Sequence, residues 1–597
     1  MFLRCKIRKK NGKEHRSWSI VENQRLAHGK VVQRQVLYLG EINDSQSLAW
    51  RKSMAAFLED QPEAPPTTLA LFPEDTVAAP VADEDIVRLR LHELRLCRPR
   101  QWGACWLALH LWRELKLDEF WREHLPPSRK GTRWDQILAV LASYRLIAPG
   151  SEWKLHRQWF LASAMADLLG GDFGLAEPHK LYQCHDLLLA HKTALFTHLR
   201  DRWRDLFNAS FEVLLYDLTS TYFESSPSFP PGDKRRFGHS RDKRSDCVQV
   251  VIALIVTPEG LPLAYEVLPG NTSDKTTLKD FLARIEKQYG KAKRIWVMDR
   301  GIPTEETLEE MRAQDPPVHY LVGTPKGRLA QYEQELLKKD WQQVRLGVEV
   351  KLLPQDQELY ILARSHDRVA KERAMRRRQL KGLWRRLTEI RAMDLSRDNL
   401  MKKLGIAQHE APAAWRLIQV EVTQTKPTEH AQFTWKLLKD KLRGIRRREG
   451  SYLLRGNLTE TDPAILWNFY LQLTQVEEAF KNLKGDLALR PIHHQREVRI
   501  EAHIFLCFLA YCLHVTLGRR LRGLAPGLTT RAVLEKFAAV QMLDVRIPTT
   551  DGREVILTRY TQPEPELTLL LEKLKMTLPA QPPPKITAPP TPSPAGL

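Results

Sequence analysis

The sequence predicts an α/β chain organised around a mixed sheet, and three observations carry that reading. Apolar runs of strand length, 211-FEVLLY-216, 248-VQVVIALIV-256 and 261-LPLAYEVL-268, follow one another, the last two joined by the turn residues 257-TPEG-260. The stretch 273-SDKTTLKDFLARIEKQYG-290 opens on Ser and Asp and closes on Gly, as a capped helix does, and leads to another apolar run, 294-RIWVM-298. Farther on, 466-LWNFYLQLTQVEEAFKNLKGDLALRP-491 carries apolar residues at helical spacing.

A chain of 597 residues exceeds one ordinary core and should divide into several domains. Lys and Arg exceed Asp and Glu by 20, an excess that favours a polyanionic partner because each neutralised phosphate releases counterions. Nucleic acid is therefore the leading partner. The 7 cysteines form no CxxC pair, so they suggest neither a disulfide framework nor a zinc site. The apolar run 505-FLCFLAYCLHVTLG-518 is too short for a membrane span and reads as a buried core helix. With no secretory signal at the N-terminus, a cytoplasmic protein without a membrane partner is expected.

In chain order, 1–48 reads as a small strand-rich domain, 49–85 as a Pro- and Ala-rich linker, and 86–210 as a helical region expected to bind DNA. Residues 211–314 hold the meander, the crossover helix and a strand parallel to the first, which is the opening half of a ribonuclease H-like sheet. The first strand is read as ending at Asp217 and the fourth at Asp299. For one such aspartate a turn cap, an ion pair and a metal ligand all compete. Two at the same end of neighbouring strands would repel each other unless a cation sat between them, which favours metal.

A third carboxylate is expected from the 466–491 helix. Phe469, Leu473, Val476, Phe480, Leu483 and Leu487 share one stripe. Glu477 lies about 80° from its centre, at the border of core and solvent, whereas Glu478 points into water. Lys481 follows Glu477 by one turn, and Tyr470 and Lys484 stand on nearly the same line, placed to touch phosphate or simply to form a surface salt bridge.

The residues 216-YDLTSTYFE-224, 298-MDRG-301 and 470-YLQLTQVEEAFKNLK-484 resemble the DDE transposases of bacterial insertion sequences, specifically insertion sequence family four. So do 237-FGHSRDKRSDCVQVVIALI-255, 490-RPIHHQREVRIEAHIFLCFLA-510 and the strand-rich 1–48. Tyr470, Glu477 and Lys484 match the spacing of that group's Tyr-Arg-Glu-Lys signature, and Leu473 stands at the arginine position. The resemblance implies that Asp217, Asp299 and Glu477 hold two Mg2+ ions, with Mn2+ a possible substitute. It also implies that Tyr470, Lys484, Lys481 and Arg300 contact double-stranded DNA, and that a homodimer assembles on the element's terminal inverted repeats before joining them to target DNA. Two rival readings are a nuclease of the same fold that does not join strands, and a transposase-derived DNA-binding protein that no longer catalyses.

Between Asp299 and Glu477, residues 315–458 read as a β-rich insertion domain, with a hairpin from 344-VRLGVEVKLL-353 and 359-LYILARS-365 and strands at 415–424 and 451–458. Two basic runs, 371–393 and 436–448, read either as solvated faces or as phosphate contacts. Trp341, Trp384, Trp415 and Trp435 read mainly as packing. Residues 459–575 complete the core with helices, and 576–597 reads as a disordered Pro-rich tail. His494 and His503 read as structural or phosphate-contacting. No nucleophile elbow and no phosphate-binding GxxxxGK[ST] loop is present.

Overall fold

A computed structural model describes the chain apart from residues 1, 11–12, 26–30, 60–86, 130, 225–228, 231, 241, 243, 273–282, 284, 287–293, 299–302, 325–339, 356, 424–430 and 588–597. It divides into two compact units, one comprising Met1–Lys6, Arg16–Thr277 and Thr474–Leu597, the other Ile7–His15 and Leu278–Leu473. The architecture is mixed α/β, as expected.

Strands β1 (Phe2–Lys10), β2 (Lys13–Arg25) and β3 (Val31–Gly40) form a three-stranded sheet in that order. Helix α1 (Asp44–Glu59) follows, so the first part of the stretch expected to be linker is helical. Asn43 accepts from the Gln46 amide at 2.9 Å, and Trp50 is buried with its indole donating to Pro526 O at 2.9 Å. That pairing of cap and buried aromatic is what a reading of Pro and Ala content overlooks.

The next stretch opens with β4 (Arg95–Gln101) and continues as α2 (Gly103–Glu114), α3 (Leu117–His124), α4 (Trp134–Ile147), α5 (Pro178–Leu188) and α6 (Lys192–Phe207). The meander then forms as read, from β5 (Val213–Phe223), β6 (Val248–Val256) and β7 (Pro262–Pro269), all antiparallel. Every residue of β6 is buried, which its unbroken apolar run anticipates. Its turn to β7 uses Gly260 at φ +88°, a conformation open chiefly to glycine. One boundary differs. β5 does not stop at Asp217 but runs six residues further, to Phe223 paired with Val248. Thr219, Thr221 and Phe223 are β-formers whose side chains find buried places, so the ladder continues past the carboxylate.

In the second unit, β8 (Ile295–Met298) pairs in parallel with β9 (His319–Thr324), and α7 (Glu305–Ala313) connects them. The same sheet extends through β10 (Gln342–Arg345), β11 (Val348–Gln355), β12 (Glu358–Ser365) and a later strand, in the order β10-β11-β12, that later strand, β9, β8. Helices α8 (His366–Arg391) and α9 (Arg397–Glu410), the hairpin β13 (Ile418–Val422) and β14 (Phe433–Leu437), and α10 (Lys439–Arg447) come between β12 and that strand, β15 (Ser451–Gly456). Residues 315–458, expected as a β-rich insertion, thus hold strands β9 to β15 together with α8, α9 and α10. Leu383, Leu387 and Ile390 of α8 pack with Leu400 and Leu404 of α9 and Ile418 and Phe433 of the hairpin, so the separate core is mainly helical. The strands at 348–365 and 451–456 belong instead to the sheet of β9. Helix α11 (Pro463–Leu471), capped by Asp462, ends this unit.

The chain returns to the first unit with α12 (Leu473–Lys484) and α13 (Glu497–Leu524). The single helix expected over 466–491 is thus two, α11 and α12, with Gln472 between them. Helix α13 is much longer than the apolar run read from the sequence. It is long and apolar enough to cross a membrane, yet 89% of its apolar window is buried inside the protein. Trp203 of α6 donates to Thr516 at 3.1 Å, Trp121 of α3 sits edge-on to Phe505 at 6.1 Å, and Tyr265 of β7 packs on Phe508 at 5.0 Å.

Helix α14 (Thr530–Phe537), strands β16 (Gln541–Pro548) and β17 (Glu554–Tyr560), helix α15 (Pro565–Leu574) and β18 (Lys585–Ile586) complete the chain. Their sheet runs β18-β17-β16-β4, so the helical stretch after residue 86 and the C-terminal part share one core. Pairing of Ile586 with Val555 also puts the start of the Pro-rich tail in ordered structure, because two β-forming residues meet an open strand edge there.

Phe505→Ala, at a fully buried ring on α13, is expected to lower stability by about 3–5 kcal/mol in denaturant unfolding. An unchanged midpoint would mean that α13 is not the centre of this core.

Candidate active site

Asp217 stands in the middle of β5, opposite Leu254 of β6. Tyr216 and Leu218 on either side are buried, whereas Asp217 is half-exposed, and one of its carboxylate oxygens accepts from the Leu218 amide at 2.7 Å. Within a strand that is otherwise buried from Leu214 to Thr221, Asp217 is the partly exposed position. Glu477 projects from α12, exposed, while Val476, Ala479, Phe480 and Leu483 are buried. The helical wheel separated core from solvent correctly at these positions. Asp299 and Arg300 lie outside the described residues, as does most of the expected crossover helix, so the proximity of the two aspartates does too. The donor set itself is all carboxylate oxygen, hard ligands that suit a divalent ion such as Mg2+ or Mn2+.

The basic partners distribute differently from the line read off one helix. Tyr470 belongs to α11 in the second unit, against Tyr452 at 5.4 Å and Trp467 at 5.6 Å. A turn at Gln472 separates its helix from the one that carries Glu477. Lys481 is exposed and, with Glu478, Asp486, His514 and Arg522, lines a cavity of about 310 Å3. Lys484 is largely buried, its ammonium 3.0 Å and 3.3 Å from the two carboxylate oxygens of Asp242. Arg490 reaches the same carboxylate at 2.5 Å and lies 5.7 Å from the Tyr222 ring at the end of β5. Arg244 covers Tyr222 at 4.8 Å and pairs with Asp246 and Glu224.

Asp242, Arg244 and Arg490 are residues that inspection of the signature alone passes over. The signal of Asp242 and Arg244 was the density of alternating charge in 237-FGHSRDKRSDC-247, whereas Arg490 opens the separate stretch 490-RPIHHQ-495. With Lys484 they make a compact cationic group neutralised by a few carboxylates, a surface that can exchange internal carboxylate for phosphate.

In the second unit the two basic runs come together. Arg373, Arg376 and Arg377 of α8 and Arg446 of α10 line a cavity of about 220 Å3. Glu449, buried beneath, takes Arg373 at 2.6 Å and also Arg376, leaving the outer guanidinium groups to the surface. The tryptophans pack. Trp435 stands edge-on to Trp384 at 5.8 Å beside the insertion core, Trp415 packs on that core, and Trp341 lies under Lys351 and Arg364 at 4.7 Å and 4.5 Å.

Comparison with known proteins adds family to geometry. Residues 209–513 match the family model of the transposase DDE domain, a span that contains Asp217, Asp299 and Glu477. Residues 3–66 match the N-terminal domain of IS1634 family transposases. No curated protein matches the chain. Among solved structures, a piggyBac transposase in a synaptic complex with hairpin DNA aligns at 8% identity and a TM-score of 0.35, covering 72% of this chain and 79% of that one.

Asp242→Ala removes the carboxylate that Lys484 and Arg490 share. Affinity for duplex DNA at low salt is expected to rise, and the slope of log K against log salt to steepen by about 1–2. Fluorescence anisotropy across a salt series reads this directly, and an unchanged slope would place both cations away from DNA.

Proposed function

Because the chain belongs to the transposase DDE domain family, we propose that Asp217, Asp299 and Glu477 are its catalytic carboxylates. It is a DNA transposase, an enzyme that binds, cuts and transfers DNA and depends on a divalent metal. The observation that carries the residue assignment is the partly buried Asp217 between buried Leu214–Tyr216 and Leu218–Thr221 of β5, within a matched span that also contains exposed Glu477.

On this reading the three carboxylates close a ribonuclease H-like core and bind two Mg2+ ions, for which Mn2+ can substitute. Bound there, the metal supplies activation of the attacking hydroxyl and charge stabilisation at the leaving oxygen. The protein's own part is to hold the DNA in line. Water, or a free 3′-hydroxyl, attacks the phosphodiester phosphorus; the new P–O bond forms as the 3′-oxygen departs on the opposite side, with no covalent protein–DNA intermediate. Lys484, Lys481, Tyr470 and Arg300 take phosphate oxygens around that site, and the arginines of α8 and α10 position flanking duplex without reading bases. Leu473, at the signature's arginine position, contributes no cation.

The substrate ends are the terminal inverted repeats of the insertion sequence that encodes the protein, and two copies of the chain pair those ends in the cytoplasm. The match of the N-terminal domain supports placing the element with the IS1634 group, while the Tyr470, Glu477 and Lys484 spacing supports the broader Tyr-Arg-Glu-Lys group. No role at a membrane is proposed.

The test uses duplexes carrying the inverted repeats that flank the gene, with Mg2+. Asp217→Asn, Asp299→Asn and Glu477→Gln are each expected to reduce cleavage and joining by at least about a thousandfold while DNA binding persists. An active Glu477→Gln enzyme would refute that residue as the third ligand. Cleavage without joining by the wild type would overturn strand transfer at these ends.

A further inference from the structure

His494 and His503 converge with Glu152: one ligand atom from each lies within 4.8 Å of the other two. His185 joins them, its Nε2 3.4 Å from Glu152 Oε1, with His494 Nε2 3.6 Å from the same oxygen. The four side chains come from well-separated parts of the first unit. Glu152 starts a short helix capped by Ser151, His185 lies on α5, His494 in the connection from α12 to α13, and His503 on α13.

Their burial is deep: Glu152, His185 and His503 are 6%, 0% and 5% exposed. Several of their polar atoms make no hydrogen bond among the described residues, namely both nitrogens of His185, Nδ1 of His503 and Oε1 of Glu152. Unpartnered buried polar atoms in such number are uncommon in a native core. His503 Nε2 lies 3.2 Å from Leu489 O, so that nitrogen donates its proton and Nδ1 presents its lone pair to the cluster.

Arg145 supplies a fixed cation at 3.7 Å from Glu152 Oε1 and donates to Ala488 O at 3.4 Å. An ion pair between Glu152 and Arg145 would account for the carboxylate but not for the unpartnered nitrogens of His185 and Nδ1 of His503. A cation between the imidazoles accounts for both.

We propose that Glu152, His185, His494 and His503 form a structural zinc site that ties the connection following the Glu477 helix to the helices before β5. Three nitrogens and one oxygen match the four-coordinate preference of Zn2+. They differ from the all-oxygen set around Asp217, so the two sites take different ions. A tetrahedral zinc site has ligand–ligand edges of about 3.4 Å, so Glu152, His494 and His503, now within 4.8 Å of one another, would draw together on binding and His185 would close in from its contact with Glu152.

The experiment strips the tag-free full-length protein with a chelator, restores Zn2+ or Co2+, and desalts it. Wild type and Asp217→Asn should each retain about one zinc per chain and, with cobalt, show the intense visible absorption of a tetrahedral site. His494→Gln and His503→Gln should bind zinc at least about tenfold more weakly. Retention of no zinc by the wild type, or only the weak cobalt spectrum of six-coordination, overturns the proposal, as does wild-type zinc affinity in both variants. Should either variant fail to fold, the wild-type cobalt spectrum still decides.

Discussion

Burial of α13 on nearly all sides is the constraint from which most of the first unit follows. A helix whose apolar window is 89% enclosed must be met by partners around its whole circumference, and no single layer can do that. The helices before residue 210 cover one side, through Trp121, Phe196 and Trp203, while Tyr265 of the meander covers another. Tyr511 then fixes the β6–β7 turn by donating to Gly260 O at 2.9 Å, and Arg520 pairs with Glu114 of α2. The sheet that carries Asp217 and the helices that precede it are therefore halves of one packing problem, solved by a segment nearly three hundred residues downstream of the meander's first strand.

How much of this was legible depends on whether the signal was local. The meander was, because apolar runs and a TPEG turn specify β6 and β7 without outside help. The burial of Val476, Phe480 and Leu483 was, because helical period alone sets them on one stripe; Glu477, read at its border, is exposed like Glu478. The extent of β5 was not: a charged residue reads as a strand end, yet the threonines and aromatics beyond it keep pairing with β6. Nor was the break between α11 and α12, since 470-YLQLTQ-475 carries neither proline nor glycine. The mainly helical core of the insertion escaped notice because its strands were assigned by alternation, and alternation does not say which sheet a strand joins.

The candidate site shows the same division. The carboxylates of Asp217 and Glu477 announce themselves through local context, whereas their cationic surroundings are assembled by tertiary structure. Lys484 was visible by spacing, but its engagement with Asp242 and the neighbouring Arg490 could not be, because Asp242 lies 242 positions away in sequence from Lys484. The Glu152 and histidine cluster is an extreme case. Its members are scattered from residue 152 to 503, and no spacing rule links them. Charge density marks the surfaces where phosphate can bind; it says little about which cation is already satisfied by a carboxylate of the same chain.

The joining of β4 to β16 has a consequence for how the protein comes into being. Arg100 on β4 is buried between Asp544 and Asp167, at 3.0 Å and 2.9 Å, and Gly103 just beyond it is so close to Phe537 that a methyl group there would sit 2.2 Å from that carbonyl. Both arrangements require residues synthesised more than four hundred positions later. Until those residues are made, β4 has an open strand edge and Arg100 has Asp167 but lacks its second acid. A chain truncated before Gln541 would therefore leave the β4 edge without the strand that covers it.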